Sequence, residues 1–237
     1  MQYTGGKYKV AKELAGIISL FAPRVYWEPF VGAGNVIQYV NAPVRIGSDL
    51  DIHIATFLEC LRDGWLPPAE VSEAEYRFYK IYEPITRECY ATKAAIGYGC
   101  SFGGKWFGGY APTPKDRPNR KYAAQCRVQS IKQAPMLKGI NFKNQSYLDG
   151  LPEGVDLIYC DPPYANTTRC GVGKQFDSKL FWDWCRAVAL RGITVLVTEF
   201  TAPAFAMEIW SKKKPADLRR GDNKAMTERL FLVRGTA

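Results

Sequence analysis

Val155-Asp156-Leu157-Ile158-Tyr159-Cys160-Asp161-Pro162-Pro163-Tyr164 decides how this chain folds. Its first six residues are a short, mostly apolar run with Gly154 before it and Pro162 after it, the pattern of a strand buried in a parallel sheet. In open α/β sheets, ligands gather at the carboxyl ends of such strands. Asp161 to Tyr164 stand at that end. Pro162 and Pro163 have no N–H and a fixed φ, so the turn presents two acceptors, the Asp161 carboxylate and the Pro162 carbonyl, without competing donors. Tyr164 adds an aromatic face for stacking. An exocyclic aromatic amine suits this arrangement. Its lone pair is delocalised into the ring, and two acceptors on its N–H bonds would draw the nitrogen toward tetrahedral geometry and free the pair for attack on an electrophilic methyl. Asp and Pro are also ordinary turn residues, so the motif alone leaves a purely structural role open.

A second motif lies upstream. Arg24 to Phe30 reads as a strand running into Val31-Gly32-Ala33-Gly34-Asn35, with a helix expected from Val36. Glycines at 32 and 34 allow a tight turn and close approach of backbone to a nucleoside. The third glycine of the dinucleotide fingerprint is missing, because position 37 is Ile. The next apolar segment, Val44 to Gly47, ends in Ser48-Asp49, fifteen positions after Gly34. A carboxylate there can accept from both hydroxyls of a ribose. Asp49 also suits an N-cap on the helix expected from Ile52.

Tyr3-Thr4-Gly5-Gly6-Lys7, Glu28-Pro29-Phe30-Val31-Gly32-Ala33-Gly34, Ser48-Asp49 and Asp161-Pro162-Pro163-Tyr164 occur in one order. Together they resemble the Dam-type, alpha-group adenine-N6 DNA methyltransferases, a family with many bacteriophage members. The resemblance runs from Tyr3 to about Phe200, and its specific part is confined to those four blocks. It implies a Rossmann-like α/β core that binds S-adenosylmethionine, with a target-recognition insert between the cofactor and catalytic motifs. It implies cofactor contacts from Tyr3, Lys7, Phe30, Gly32, Gly34, Asp49 and Asp161, with Lys7 reaching the methionine carboxylate and Asp49 the ribose. Asp161 and Pro162 would hold the target amine, and Tyr164 would stack on an adenine rotated out of duplex DNA. Tyr3 stands where some members have Trp, which keeps an aromatic face.

Charge agrees with a polyanionic partner. The formal net charge is +9. From Ser101 to Lys143 there are nine basic residues, Lys105, Lys115, Arg117, Arg120, Lys121, Arg127, Lys132, Lys138 and Lys143, against Asp116 alone. Phosphate contacts draw on such residues and weaken steeply with salt. Lys105, Trp106, Arg117, Arg120 and Lys121 are the expected DNA contacts. Gly97 to Tyr110, rich in glycine and aromatics, reads as a mobile loop or hairpin whose rings fill an opened duplex or else pack on the preceding helix. This segment departs from the best-known GATC-specific pattern, so the resemblance carries no target sequence. Ala111 to Lys121 reads as extended and phosphate-facing. Ala165 to Asp177 reads as a loop that orders on DNA.

The domain reading is a catalytic core of residues 1–62 and 144–237, with a DNA-recognition insert at 63–143. Helices are expected at Lys7 to Leu20, Ile52 to Arg62, from Ser72 with a capping-box start, on to about Ile96 after an interruption at Pro84, and at Ser178 to Ala189. Further strands are expected at Ile193 to Phe200 and Leu230 to Val233. Basic residues from Lys212 to Lys224 suit either a DNA flank or a solvated loop. Among Asn144 to Tyr147, Ser146 is a candidate contact to the cofactor base by the resemblance. Seven cysteines without a Cys-x-x-Cys pair, and a single histidine, His53, argue for a reduced cytoplasmic chain, in a bacterium or phage-infected cell, without structural metal. No apolar segment is long enough to cross a bilayer, so no membrane partner is expected. The competing readings are a related amino-methyltransferase acting on RNA or a protein amide, and a DNA-binding module with a vestigial site.

Overall fold

A computed structural model of the chain describes residues 1–111, 121–163, 176–213 and 227–235. The described strands are β1 (Val25–Glu28), β2 (Val44–Asp49), β3 (Ile140–Asn144), β4 (Leu157–Cys160), β5 (Thr194–Glu199), β6 (Ala206–Lys213) and β7 (Thr227–Val233). They form one sheet in the order β3-β2-β1-β4-β5-β7-β6. The first five positions are those of a doubly wound sheet, with β1 parallel to both β2 and β4. Strand order reverses between β1 and β4, which opens a crevice at their carboxyl ends. β7 runs antiparallel between β5 and β6. The architecture is the Rossmann-like α/β core that the motifs implied.

Alternation along the strands splits the core in two. Tyr26, Leu157, Tyr159, Leu196 and Leu230 face one side, against Leu14 and Ile18 of α1 (Ala11–Ser19) and Phe57 and Leu58 of α2 (Ile52–Arg62). Trp27, Ile158, Val195, Val197 and Val233 face the other, against Phe181, Trp182 and Cys185. Those last three belong to the helix Ser178–Ala189. No described helix is long and apolar enough to cross a membrane.

Between α2 and β3 the chain forms α3 (Glu73–Ile81), α4 (Arg87–Gly99) and α5 (Tyr122–Gln133), followed by α6 (Ser178–Ala189) after β4. The expected capping box is present: Glu75 N–H donates to Ser72 Oγ, and Ser72 N–H donates to the Glu75 carboxylate. α4 runs three residues beyond the expected Ile96, and both glycines of that extension meet bulky neighbours. A Cβ at Gly97 would lie 2.6 Å from the Trp106 ring, and one at Gly99 would lie 2.9 Å from Cys126 Sγ.

Several expectations change. The first helix begins at Ala11, leaving Lys7 in the turn before it, where Val10 N–H donates to the Lys7 carbonyl. The helix expected from Val36 is a single 3₁₀ turn, Ile37–Tyr39. The boundary expected between 143 and 144 falls inside β3, which pairs with β2 along its length. β6 escaped notice because a half-exposed edge strand with a charged, lysine-rich end lacks a clean apolar alternation. The glycine-rich stretch is packed down at most of its rings. Phe107 is buried, Tyr76 contacts both Phe107 and Tyr110, and Tyr110 Oη donates to the Val71 carbonyl. Of the stretch's five aromatics, Tyr98, Phe102, Trp106, Phe107 and Tyr110, Phe102 alone is strongly exposed. Residues 112–120, 164–175 and 214–226 lie outside the described residues, and with them fall most of the extended basic segment, the loop after the catalytic motif and the greater part of the last basic stretch.

Candidate active site

The glycine turn follows β1 and meets the end of β2. Gly32 and Gly34 both have positive φ, 48° and 68°. Gly32 N–H donates to Asp49 Oδ2 at 3.0 Å, and Asp51 N–H donates to Asp49 Oδ1 at 3.0 Å. The Leu50 N–H adds a third backbone donor, and the four lone-pair sites of the carboxylate leave room for one more. Burial pushes Asp49 up to about 6, against the backbone donors that favour its charged form. A Cβ at Gly32 would stand 3.0 Å from the Tyr3 ring, so the aromatic of the amino-terminal segment lies directly on the turn. Gly34 faces Leu58 of α2, and Gln133 of α5 donates to the Ala33 carbonyl at 2.8 Å.

The N-cap of α2 is Asp51 rather than Asp49. Asp51 accepts from His53 N–H and from Tyr98 Oη at 2.6 Å, and His53 Nδ1 lies 2.9 Å from Asp51 Oδ1. Burial alone would raise Asp51, but the hydrogen bonds from His53 and Tyr98 outweigh it and hold this carboxyl below its ordinary value. Tyr98 also packs on Tyr3 and Trp106, with ring centroids 5.0 and 4.8 Å away. This carboxylate, imidazole and phenol set is invisible in the sequence, because Tyr98 is brought to Asp51 only by the packing of α4 on α2.

At the carboxyl end of β4, Asp161 Oδ1 receives two donors. One is Lys7 Nζ at 2.5 Å, and the other is Thr198 Oγ1 of β5 at 2.9 Å. Thr198 in turn lies 3.0 Å from Tyr159 Oη. Among the described residues, no donor reaches Oδ2 of Asp161. Lys7 also pairs with Glu228 of β7 at 3.1 Å, and Lys7 and Glu228 are 5% and 1% exposed. Burial works against the ammonium, yet Asp161 and Glu228 outweigh it and raise Lys7 above its ordinary value. Burial raises Asp161, and Lys7 only partly offsets this. Glu28, buried at the end of β1, accepts from Tyr26 Oη, and burial raises its carboxyl well above the usual range.

The sequence-predicted residues thus divide. Lys7 meets Asp161 at the end of β4, Tyr3, Gly32 and Asp49 meet at the ends of β1 and β2, and Gly34 and the buried Pro162 stand next along the chain in those two turns. Lys7 is turned toward Asp161, where a methionine carboxylate contact was expected. Phe30 sits beside Tyr147 and Phe176, 5.3 and 6.0 Å between centroids, in an aromatic cluster on the other side of the turn. Lys105 is exposed, and exposed Lys121 pairs with Glu70 at 3.1 Å. Trp106 packs inward on Tyr98 and His53, so its flat apolar ring serves the protein interior in place of an open duplex. Tyr164, Arg117 and Arg120 lie outside the described residues. Sequence reasoning missed Glu228, Thr198, Tyr98 and Gln133.

No family model and no curated protein matches the chain. Among solved structures it is similar to SMU.472, described as "a putative methyltransferase complexed with SAH", at TM-score 0.37 and 9% identity. The match covers 98% of this chain and 54% of that one, so the chain spans about half the length of the neighbour.

Replacing Lys7 by Met leaves Asp161 and Glu228 buried together without their shared countercharge. Urea unfolding is expected to show a loss of about 3–5 kcal/mol. Carboxyls whose folded pKa lies above the unfolded value favour the folded state below the unfolded pKa, and that advantage disappears as the pH rises through the folded pKa. The deficit of Lys7→Met should therefore shrink as the pH is lowered toward 4.

Proposed function

We propose that this chain transfers a methyl group from S-adenosylmethionine to the N6 of an adenine rotated out of duplex DNA. The observation that carries the reading is the loading of Asp161: Lys7 and Thr198 both bind Oδ1, which leaves Oδ2 to accept from a target amine. The Pro162 carbonyl, next along the turn and without an N–H of its own, is the second acceptor. Tyr164 then stacks on the base, as the family resemblance implies. Two acceptors on one aromatic amine are what its delocalised lone pair requires before it can attack.

The residues around the β1/β4 crevice fit the cofactor. Glycines 32 and 34 let Tyr3 and Leu58 close on the turn, the Asp49 carboxylate keeps acceptor capacity for a ribose hydroxyl beside its backbone donors, and Tyr3 and Phe30 offer aromatic rings near the turn. When bound there, S-adenosylmethionine supplies an electrophilic methyl on a sulfonium. Asp161 ionised by its ammonium partner serves both as acceptor for the amine and as a negative charge near that sulfonium. Residues 63–143 then act as the target-recognition insert and the remainder as the catalytic core, with β3 counted in the core. Lys105 and Lys121, together with Arg117 and Arg120, are proposed phosphate contacts. Trp106 is left out of that set because of its inward packing.

Labelled S-adenosylmethionine incubated with duplex DNA and the protein should yield labelled DNA, and Asp161→Ala should reduce the label to background. Full activity in Asp161→Ala would sink the proposal.

The Asp49 carboxyl gives a pH test. Ribose hydroxyls donate to the ionised form, and Asp49 holds its proton up to about 6 in the folded chain. Cofactor affinity measured by calorimetry should be full above that value and fall as the pH drops through it. Asp49→Asn should bind more weakly at pH 7.5 and lose this pH dependence; an unchanged acid limb in the variant would remove Asp49 from the cofactor site.

A further inference from the structure

Strand β7 carries a carboxylate into the centre of the candidate site. We propose that Glu228 is a positioning residue for methyl transfer, holding the Lys7 ammonium between β7 and β4 so that Asp161 Oδ1 stays occupied and Oδ2 faces the target amine. The proposal deepens the methyl-transfer reading and rests on it.

The geometry is that of a clamp built from separate parts of the chain. Asp161 follows β4, Thr198 lies on β5, Glu228 on β7, and Lys7 precedes α1. A lysine is a point charge on a flexible four-carbon stem, and a single carboxylate contact leaves its head free to pivot. Glu228 Oε1, 3.1 Å from Nζ, adds a second fixed anion. The Gly5 carbonyl lies 3.4 Å from the same nitrogen. Along β7, the neighbours of Glu228 on the same face are Leu230, fully buried, and Leu232, partly buried. An ionised carboxylate in that apolar row costs several kcal/mol to desolvate, and packing alone would be served as well by an apolar side chain. Its use is in where it holds the ammonium.

The charged and titratable groups facing Asp161 come from each element around it: the Lys7 ammonium, Glu228 on β7, Glu28 on β1, and the buried Tyr159 phenol and Cys160 thiol on β4, with the Thr198 hydroxyl from β5. Lys7 favours the ionised Asp161, while the negative charge of Glu228 raises it. Two consequences of Glu228→Gln therefore point in distinguishable directions. The clamp loosens, which lowers kcat. The ammonium loses its orientation but stays beside Asp161, so removal of the Glu228 repulsion moves the acid limb of the kcat profile to lower pH.

The test is the pH profile of methyl transfer from S-adenosylmethionine to duplex DNA for wild type and Glu228→Gln, with cofactor KM measured alongside. Expected are a kcat roughly tenfold to a hundredfold lower, the scale of a misplaced catalytic group, an unchanged KM and an acid limb displaced downward. A variant with wild-type kcat and limb overturns the proposal, and so does a lowered kcat with an unmoved limb, the mark of a purely structural role. If Glu228→Gln does not fold, the wild type supplies the reading through nitrogen NMR of the Lys7 side chain. An ammonium resonance protected from exchange at neutral pH supports the clamp, and a freely exchanging one overturns it. A wild-type chain with a protected Lys7 signal but no methyl transfer fails the functional reading instead, and the two failures are told apart in that way.

Discussion

One buried positive charge organises this molecule. Lys7 is nearly inaccessible, and its ammonium is stable there only because carboxylates from two strands of the sheet close around it. That requirement fastens the amino-terminal segment to the carboxyl end of β4 and the amino end of the antiparallel β7. Other contacts lie along the same segment: Thr4 N–H and Oγ1 donate to the carbonyls of Gly104 and Gly103, and Tyr3 lies on Gly32 and Tyr98. The segment thereby joins the end of β4, the glycine turn and the helical insert.

The sheet order turns this pin into a site. Because β1 and β4 are neighbours whose following connections leave in opposite directions, the glycine turn and Asp161 open on one crevice. Asp49, at the end of β2, faces it with a carboxylate already tied to the Gly32 and Asp51 amides, so its orientation is set before any ligand arrives. Asp161 is likewise set, by Lys7 and Thr198. Under the proposed function, acceptors preorganised in this way would lose little entropy on binding an amine or a ribose and would avoid reorganisation at the moment of reaction. The insert is coupled to the same place through Tyr98, which donates to the Asp51 that caps α2.

Much of this was legible in the chain before its structure. α2 and α6 matched their expected positions, β4 ended at the expected Cys160 but began two residues late at Leu157, and β5 fell within one residue of its own at each end, because apolar runs bounded by turn residues carry their own limits. The glycine turn, Asp49, Lys7 and Asp161 were legible as short motifs whose residue types have few other uses together. What escaped depends on pairing between distant segments. Glu228 reads as one charge in a polar Thr-Glu-Arg run, and only the antiparallel placement of β7 beside β5 buries it next to Lys7. Thr198 is an ordinary strand residue until β5 is set against β4. The glycines of 97–109 suggested a mobile loop, but Gly97 is small because Trp106 and Phe107 lie against it, and Gly104 because Tyr3 does. Composition alone does not separate a glycine that frees the backbone from one that admits a neighbour.

The central claim is that Asp161, held by Lys7, activates the N6 amine of adenine in DNA. Single-molecule sequencing of DNA from cells producing the wild-type chain, with cells producing Asp161→Asn alongside, tests it most directly. N6-methyladenine at a recurrent sequence in the first DNA and its absence from the second is the predicted result. The same modification pattern in both, or no modified adenine in DNA exposed to the folded, cofactor-bound wild type, would contradict it.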